Sequence, residues 1–197
     1  MPLQQGQRKY TYADYLTWDE SERIELIDGV PYHTYGGPVI EGAPVMQTAP
    51  TTAHQSVSFE LSGQLHRFLK GKPCKAFTAP FTVRLNAADN DDITLEPDIV
   101  VVCDSSKLDD RGCKGAPDLV IEILSPSTAR KDRIIKFQKY QWAGVREYWI
   151  LDPDTKTLQA CILENGRYFV TGYTDADTAP IHVLAGCRIN LKDVFAE

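Results

Sequence analysis

Residues 95–104 read LEPDIVVVCD, and residues 117–140 read PDLVIEILSPSTARKDRIIKFQKY. Two apolar, β-branched runs each carry an acid. Asp98 opens the first behind Pro97, and Glu122 lies inside the second between Ile121 and Ile123. An ionised carboxylate in a buried strand is costly unless it is neutralised, paired or bound to a cation. Residues 119–124 are apolar throughout apart from Glu122, the pattern of a central strand. SPST stops that strand. Ser127 or Thr128 caps the helix that follows, which runs to about residue 143, where Gly144 ends it.

The neighbouring segments fit an alternation of strands and helices. Upstream, residues 81–85 and 93–103 read as strands of a β-hairpin with the acidic tip NAADNDD, and residues 75–78 as a further strand. Val57, Leu61, Leu65, Phe68 and Leu69 recur at helical spacing and predict a helix over 54–69. Residues 36–53 are rich in Gly, Pro, Ala and Thr and read as a long loop or short irregular strands. Asp28-Gly29 between two apolar segments predicts a hairpin within RIELIDGVPYHT. Thr11 caps a short helix over 12–18, and residues 1–10 are a loose lead-in. Residues 104–116 read as a polar loop. Downstream, VREYWILDP is a strand. Residues 157–163 and 167–173 continue it as an antiparallel meander, and 187–195 hold a strand and one helical turn. The sum is a single α/β domain over residues 1–197, a central mixed β-sheet flanked by helices.

Composition limits the function classes. The chain has 197 residues and a net charge of -6, which weighs against a general nucleic-acid coating protein but not against an enzyme with a local basic patch. The polar N-terminus holds no signal-peptide core, and no apolar run reaches membrane-spanning length, so a cytoplasmic location is expected. The five cysteines are scattered, odd in number and contain no CxxC pair, which predicts free thiols in a reducing compartment rather than zinc or a disulfide scaffold.

Asp98 and Glu122 on neighbouring strands, about 5 Å apart, could share one divalent cation. The carbonyl of Ile123 is a candidate third ligand. The bland alternatives are local amide binding for Asp98 and a structural ion pair, with Lys136, for Glu122. Lys136 falls 14 residues after Glu122, and a packed helix would bring its ammonium to the carboxylates to orient water or offset developing charge. Asp132 and Tyr140 share its helical face, and Asp132 could position it. Spacing alone leaves Lys131 and Lys139 equally eligible, on a solvated basic face. His54 could reach a phosphate from its helix start, although structural use is commoner. Glu96 alternates to the face opposite Asp98, Tyr148-Trp149 reads as core packing, and SPST reads as plain capping.

Taken together, PD, E-I-L-S-P-S-T, a D-x-x-x-K helix and A-G-V-x-E-Y-W-I-L-D-P resemble the Uma-type family of restriction endonuclease-like proteins, within the PD-(D/E)XK nuclease superfamily. The resemblance extends to the E-L-I-D-G hairpin and the His54 helix, from about residue 10 to 155. It implies a restriction-endonuclease-like core, Mg²⁺ or Mn²⁺ as cofactor and DNA as substrate. It makes Asp98 and Glu122 the metal-binding acids. Glu25 matches the acid of the N-terminal element, binding metal directly or through water. One departure stands out. The lysine that the superfamily carries two residues after the acid is Leu124 here, and this branch places it on the following helix, at Lys136.

DNA contact requires cations. Arg130, Lys131, Arg133, Lys136 and Lys139 supply a basic edge near the proposed site, the first three as the candidate DNA contacts, and 67–75 supplies a second patch. Neither contains a groove-reading motif. The leading expectation is therefore a metal-dependent DNA phosphodiesterase, with a homodimer as the simplest way to cut both strands. The alternatives are a catalytically inactive nuclease-fold module binding nucleic acid or a protein, and a carboxylate-pair glycosidase, for which no sugar-binding cleft is recognisable.

Overall fold

The computed structural model describes residues 8–19, 23–39 and 49–196. Most of the lead-in and nine residues of the Gly/Pro-rich loop, 40–48, lie outside them. The elements follow the sequence order. Helix α1 (Tyr12–Tyr15) is shorter than the expected 12–18. Strands β1 (Ile24–Ile27) and β2 (Val30–His33) form the expected hairpin. Asp28 and Gly29 both take positive φ, 53° and 75°, as a tight two-residue turn requires.

Helix α2 (Thr52–Leu69) is capped by Thr51, whose side chain accepts the His54 amide. Its inner stripe is His54, Val57, Leu61, Leu65 and Leu69. Then come β3 (Lys75–Thr78), β4 (Thr82–Arg84), β5 (Thr94–Leu95) and β6 (Ile99–Val102). A small hairpin, β7 (Leu108–Asp109) and β8 (Gly112–Lys114), occupies part of the expected polar loop. Strand β9 (Leu119–Ile123) leads through SPST to a π-helical segment, Lys131–Lys136, which runs into α3 (Phe137–Ala143). Gly144 ends α3 at φ 85°. Strands β10 (Glu147–Asp152), β11 (Thr157–Glu164) and β12 (Arg167–Thr174) make the expected meander, followed by β13 (Thr178–Pro180), β14 (Arg188–Asn190) and α4 (Leu191–Val194).

The structure is a mixed α/β fold, with one difference from expectation. There are two six-stranded mixed sheets, not one, in the orders β2-β1-β5-β4-β8-β7 and β12-β11-β10-β9-β6-β3. The single strand expected over 93–103 is the cause. Pro97 has no amide hydrogen to continue a ladder, and the chain breaks there. Strand β5 pairs with β1 and β4 in the first sheet, while β6 pairs with β9 and β3 in the second. The two acids therefore sit at a junction between sheets.

Strand β9 is central, parallel to β10 and antiparallel to β6. Its odd-numbered residues pack under α2 and α4 with Trp149 and Leu151. Val120 faces the other way, into a second core with Val100, Tyr140, Tyr148 and residues of the first sheet. Glu122 alternates onto that second side.

The cysteines overturn the expectation of free thiols. Cys74 and Cys103 are disulfide-bonded, and Cys113, Cys161 and Cys187 are free and buried. The antiparallel pairing of Lys75 with Val102 puts the two flanking cysteines opposite each other, which scattered positions in the chain could not reveal. The inference of a reducing compartment from cysteine usage falls with it. No helix among the described residues is long and apolar enough to cross a membrane.

Candidate active site

Strand register brings the two acids together. Ile99 pairs with Ile121 in an antiparallel ladder, so Asp98, one residue earlier, extends the ladder opposite Glu122. Asp98 Oδ2 accepts the Ile123 amide at 2.7 Å and lies 3.3 Å from His54 Nε2. The local amide binding weighed for Asp98 is thus present. So is the Glu122–Lys136 ion pair, at 2.8 Å, and Tyr140 OH donates to the same Glu122 Oε1 at 2.8 Å.

Lys136 turns inward. Its Nζ also lies 2.7 Å from Glu25 Oε1 and 3.5 Å from Asp132 Oδ1. The i, i+4 series Asp132, Lys136, Tyr140 is buried along one face, as its spacing predicts. Lys131 is buried as well, only 5% exposed, and donates to Glu25 Oε2 and to the carbonyls of His33 and Thr34 at 2.7–2.9 Å. In an α-helix, residues five apart lie about 140° around the axis from each other. The wider π turn, closed by i→i+5 bonds, brings Lys131 and Lys136 to the same carboxylate.

Several expected roles change accordingly. Glu25 is not placed as a metal ligand. It is fully buried, and Lys136, Lys131 and the Glu96 amide occupy both its oxygens. It anchors the two lysines. Lys131 is not available to DNA. Arg133 pairs with Asp152 and Gln159, leaving Arg130 as the exposed member of the expected basic edge. Lys139 pairs with Asp28 of the β1–β2 turn. Glu96 does not point away from Asp98. The break at Pro97 ends the alternation, and Glu96 lines the same cleft while bound to Arg23. The Glu-Pro-Asp order was the available sign of that break. Tyr148 is core, as expected, but its hydroxyl also donates to the Asp132 carbonyl.

The cleft is small, about 10 Å³, room for one water-sized species. Asp98, Glu122, Ile123, Asp132, Lys136 and His54 line it. Burial pushes the Glu122 carboxyl well above its ordinary range, and the nearby Asp132, Asp98 and Glu25 charges add to this against Lys136. Burial likewise raises Asp132. Burial also raises Glu25, but the ammoniums of Lys136 and Lys131 outweigh it and hold that carboxyl below its usual value. Burial opposes the charge on Lys136, yet Glu122, Glu25 and Asp132 outweigh it and raise its pKa strongly. His54 is raised too, burial being outweighed by Asp98 and Asp132.

The donor set fits a divalent cation. Both partners of Glu122 end on Oε1 and both contacts to Asp98 end on Oδ2, so each carboxylate keeps a second oxygen that none of these groups takes. Asp132 Oδ1 is buried without a hydrogen bond. Four carboxylates (Glu25, Asp98, Glu122, Asp132) face two lysines in the cluster. Among the described residues no three acidic, histidine or cysteine side chains enclose an ion by themselves. The Ile123 carbonyl already accepts from His54, which leaves the two carboxylates with water completing the shell, and Mg²⁺ is commonly held by one or two carboxylates with several waters.

Comparison with known proteins gives three findings. Residues 12–192 match the Uma2 family, described as "Putative restriction endonuclease". An uncharacterized Synechocystis protein, slr1290, is 29% identical over 188 residues, covering 94% of this chain and 86% of that one. A crystal structure described as a "putative nuclease belonging to DUF820" from Anabaena variabilis superposes with a TM-score of 0.68 at 20% identity, over 94% of this chain and 97% of that one. At that identity the likeness speaks for the fold.

Proposed function

The chain belongs to the Uma2 family, and from that premise we propose that it is a metal-dependent endonuclease hydrolysing DNA phosphodiester bonds. The observation that carries the proposal is the convergence of Asp98, Glu122, Ile123 and Lys136 on one cleft. Asp98 and Glu122, with water completing the shell, would hold Mg²⁺ or Mn²⁺. Bound there, the ion would supply Lewis-acid polarisation of the scissile phosphate and activation of water.

The chain's own residues do the rest. Lys136 holds a fixed positive charge beside the carboxylates, where it can orient the attacking water and offset charge developing on the phosphate. Glu25 fixes Lys136 from behind. His54, bonded to Asp98, orients that carboxylate, and Tyr140 does the same for Glu122. With the strand lysine position filled by Leu124, which is buried, the ammonium comes from the helix. A single domain over 1–197 and a homodimer that cuts both strands complete the proposal.

A catalytically silent module has one observation in its favour: Lys136 is already engaged by three carboxylates. Incubation of the protein with plasmid and linear DNA separates the two readings. Cleavage with Mg²⁺ or Mn²⁺, absent with EDTA and lost in Asp98→Ala, is expected of the enzyme. No cleavage with any metal, or undiminished cleavage by Asp98→Ala, removes the catalytic reading.

A further inference from the structure

The cleft opens onto a groove that the proposed chemistry leaves unused. Tyr35, His54 and Asp98 line both the cleft and a larger cavity of about 520 Å³. Ser62 and Thr78 line both that cavity and a third, of about 460 Å³. These shared residues set the three next to one another, in a row along α2 and β3. Strand β3 is the edge of its sheet, and three of its four residues are exposed.

The groove changes character along its length. Its inner end is the carboxylate cluster. Its outer end carries His66, Lys70, Lys72 and Lys75, and no acid lines that cavity. Lys72 Nζ is held 3.0 Å above the Phe68 ring. In a chain of net charge -6 this is a local concentration of cations, and it is the second basic segment of the sequence, 67–75. Between the two ends stands Phe59, in the middle of α2, 81% exposed and the most exposed of the large apolar side chains described. A lone exposed phenylalanine means little. One placed in a groove between a cationic end and a candidate hydrolytic cleft has the layout of a base-stacking platform beside a phosphate track.

We infer that this groove binds a single-stranded DNA segment, with a base stacked on Phe59 and phosphates held by the His66–Lys75 end. The inference rests on the nuclease reading for the strand's delivery to Asp98, and on the groove alone for binding. A duplex closes its base faces within the stack, so an exposed ring gains nothing from it. An unpaired strand offers a face at every base. From Gln55 to Leu69 the helix spans about 21 Å, enough for about six nucleotides at the 3.4 Å spacing of a stacked strand.

Fluorescence anisotropy with a labelled oligothymidine of about 15 nucleotides, and with a duplex of equal length, tests this in EDTA so that no strand is cut. The single strand is expected to bind more tightly than the duplex. Phe59→Ala should weaken single-strand binding by about tenfold and leave the duplex unchanged. Lys70→Glu with Lys75→Glu should weaken binding and flatten its salt dependence. These side chains are exposed, and circular dichroism matching the parent protein confirms the fold. Equal or tighter duplex binding, no binding of either DNA, or single-strand affinity unchanged by Phe59→Ala overturns the inference. Single-strand binding without cleavage under any metal removes the nuclease reading and leaves the groove standing. Cleavage of duplex DNA indifferent to Phe59→Ala does the reverse.

Discussion

Lys136 Nζ lies 2.7 Å from Glu25 Oε1, joining the π-helical segment to the first β-hairpin. The contact crosses from one sheet to the helix that covers the other. It makes an acid near the N-terminus responsible for the position of a lysine deep in the second half of the chain.

Removing Glu25 should therefore be costly to stability. Glu25→Ala leaves two buried ammoniums without their shared partner, and breaking a buried pair from one side costs about 3–5 kcal/mol. Urea unfolding monitored by tryptophan fluorescence measures it. A loss below about 1 kcal/mol would mean that the pair does not anchor the helix.

Lys136→Met should lower metal-supported DNA cleavage by about 10²–10³-fold, the usual effect of removing one preorganised charge from a reacting phosphate. Arg130→Ala, on the exposed neighbour, should leave the single-turnover cleavage rate unchanged. Quenched-flow or gel assays at saturating DNA distinguish the two. Equal rates for Lys136→Met and the parent would remove Lys136 from the chemistry.

Asp98→Asn should abolish tight Mn²⁺ binding, measured by calorimetry or electron paramagnetic resonance, while the fold persists. The asparagine side-chain oxygen can still accept the Ile123 amide, but the ligand charge is gone. Unchanged Mn²⁺ affinity would place the ion elsewhere.

Burial pushes the thiols of Cys113 and Cys187 up to about 11 and that of Cys161 up to about 12. Native thiols should thus react slowly with a disulfide reagent at pH 8. The folded state holds these protons after the unfolded chain, whose thiols titrate near 9, has released them. The unfolded state binds fewer protons, so stability should fall as pH rises from about 9 to 11. Denaturation midpoints across that range, with a Cys161→Ala control, test the sign. A midpoint that rises would contradict it.

Reduction of the Cys74–Cys103 disulfide should lower stability by about 3–4 kcal/mol, from the chain entropy of a loop with a sequence separation of 29. Thermal melts with and without reductant, beside a Cys74→Ser variant, provide the measurement. A reductant effect that persists in Cys74→Ser would assign it to another cause.

The hairpin, both long helices, the central strand and the C-terminal meander follow from local signals. Asp28-Gly29, the 54–69 apolar stripe and the 157–173 alternation each fix a segment within a few residues. The places where local reading stopped short are those where the chain leaves its period. Pro97 breaks an apparently continuous strand, sends its halves to different sheets and turns Glu96 toward the cleft. The π turn faces Lys131 inward, where helical spacing had left it on a basic surface.

The sequence by itself determined most of the element types, the family and the placement of carboxylates where an apolar core should be, because these depend on residue order and on the cost of burying charge. Only the tertiary structure decided what each acid faces. Asp98 meets Glu122 through strand register. Glu25 meets Lys131 and Lys136 because two sheets close over one π-helical segment, and Cys74 meets Cys103 across paired strands. Such partners are far apart along the chain, and the choice among Lys131, Lys136 and Lys139 depended on which ammonium reaches Glu122: Lys131 stops at Glu25 and Lys139 at Asp28. For the opening stretch, 95–140, the two acids are thus set by sequence, and the lysine between Glu25 and Glu122 is set by packing.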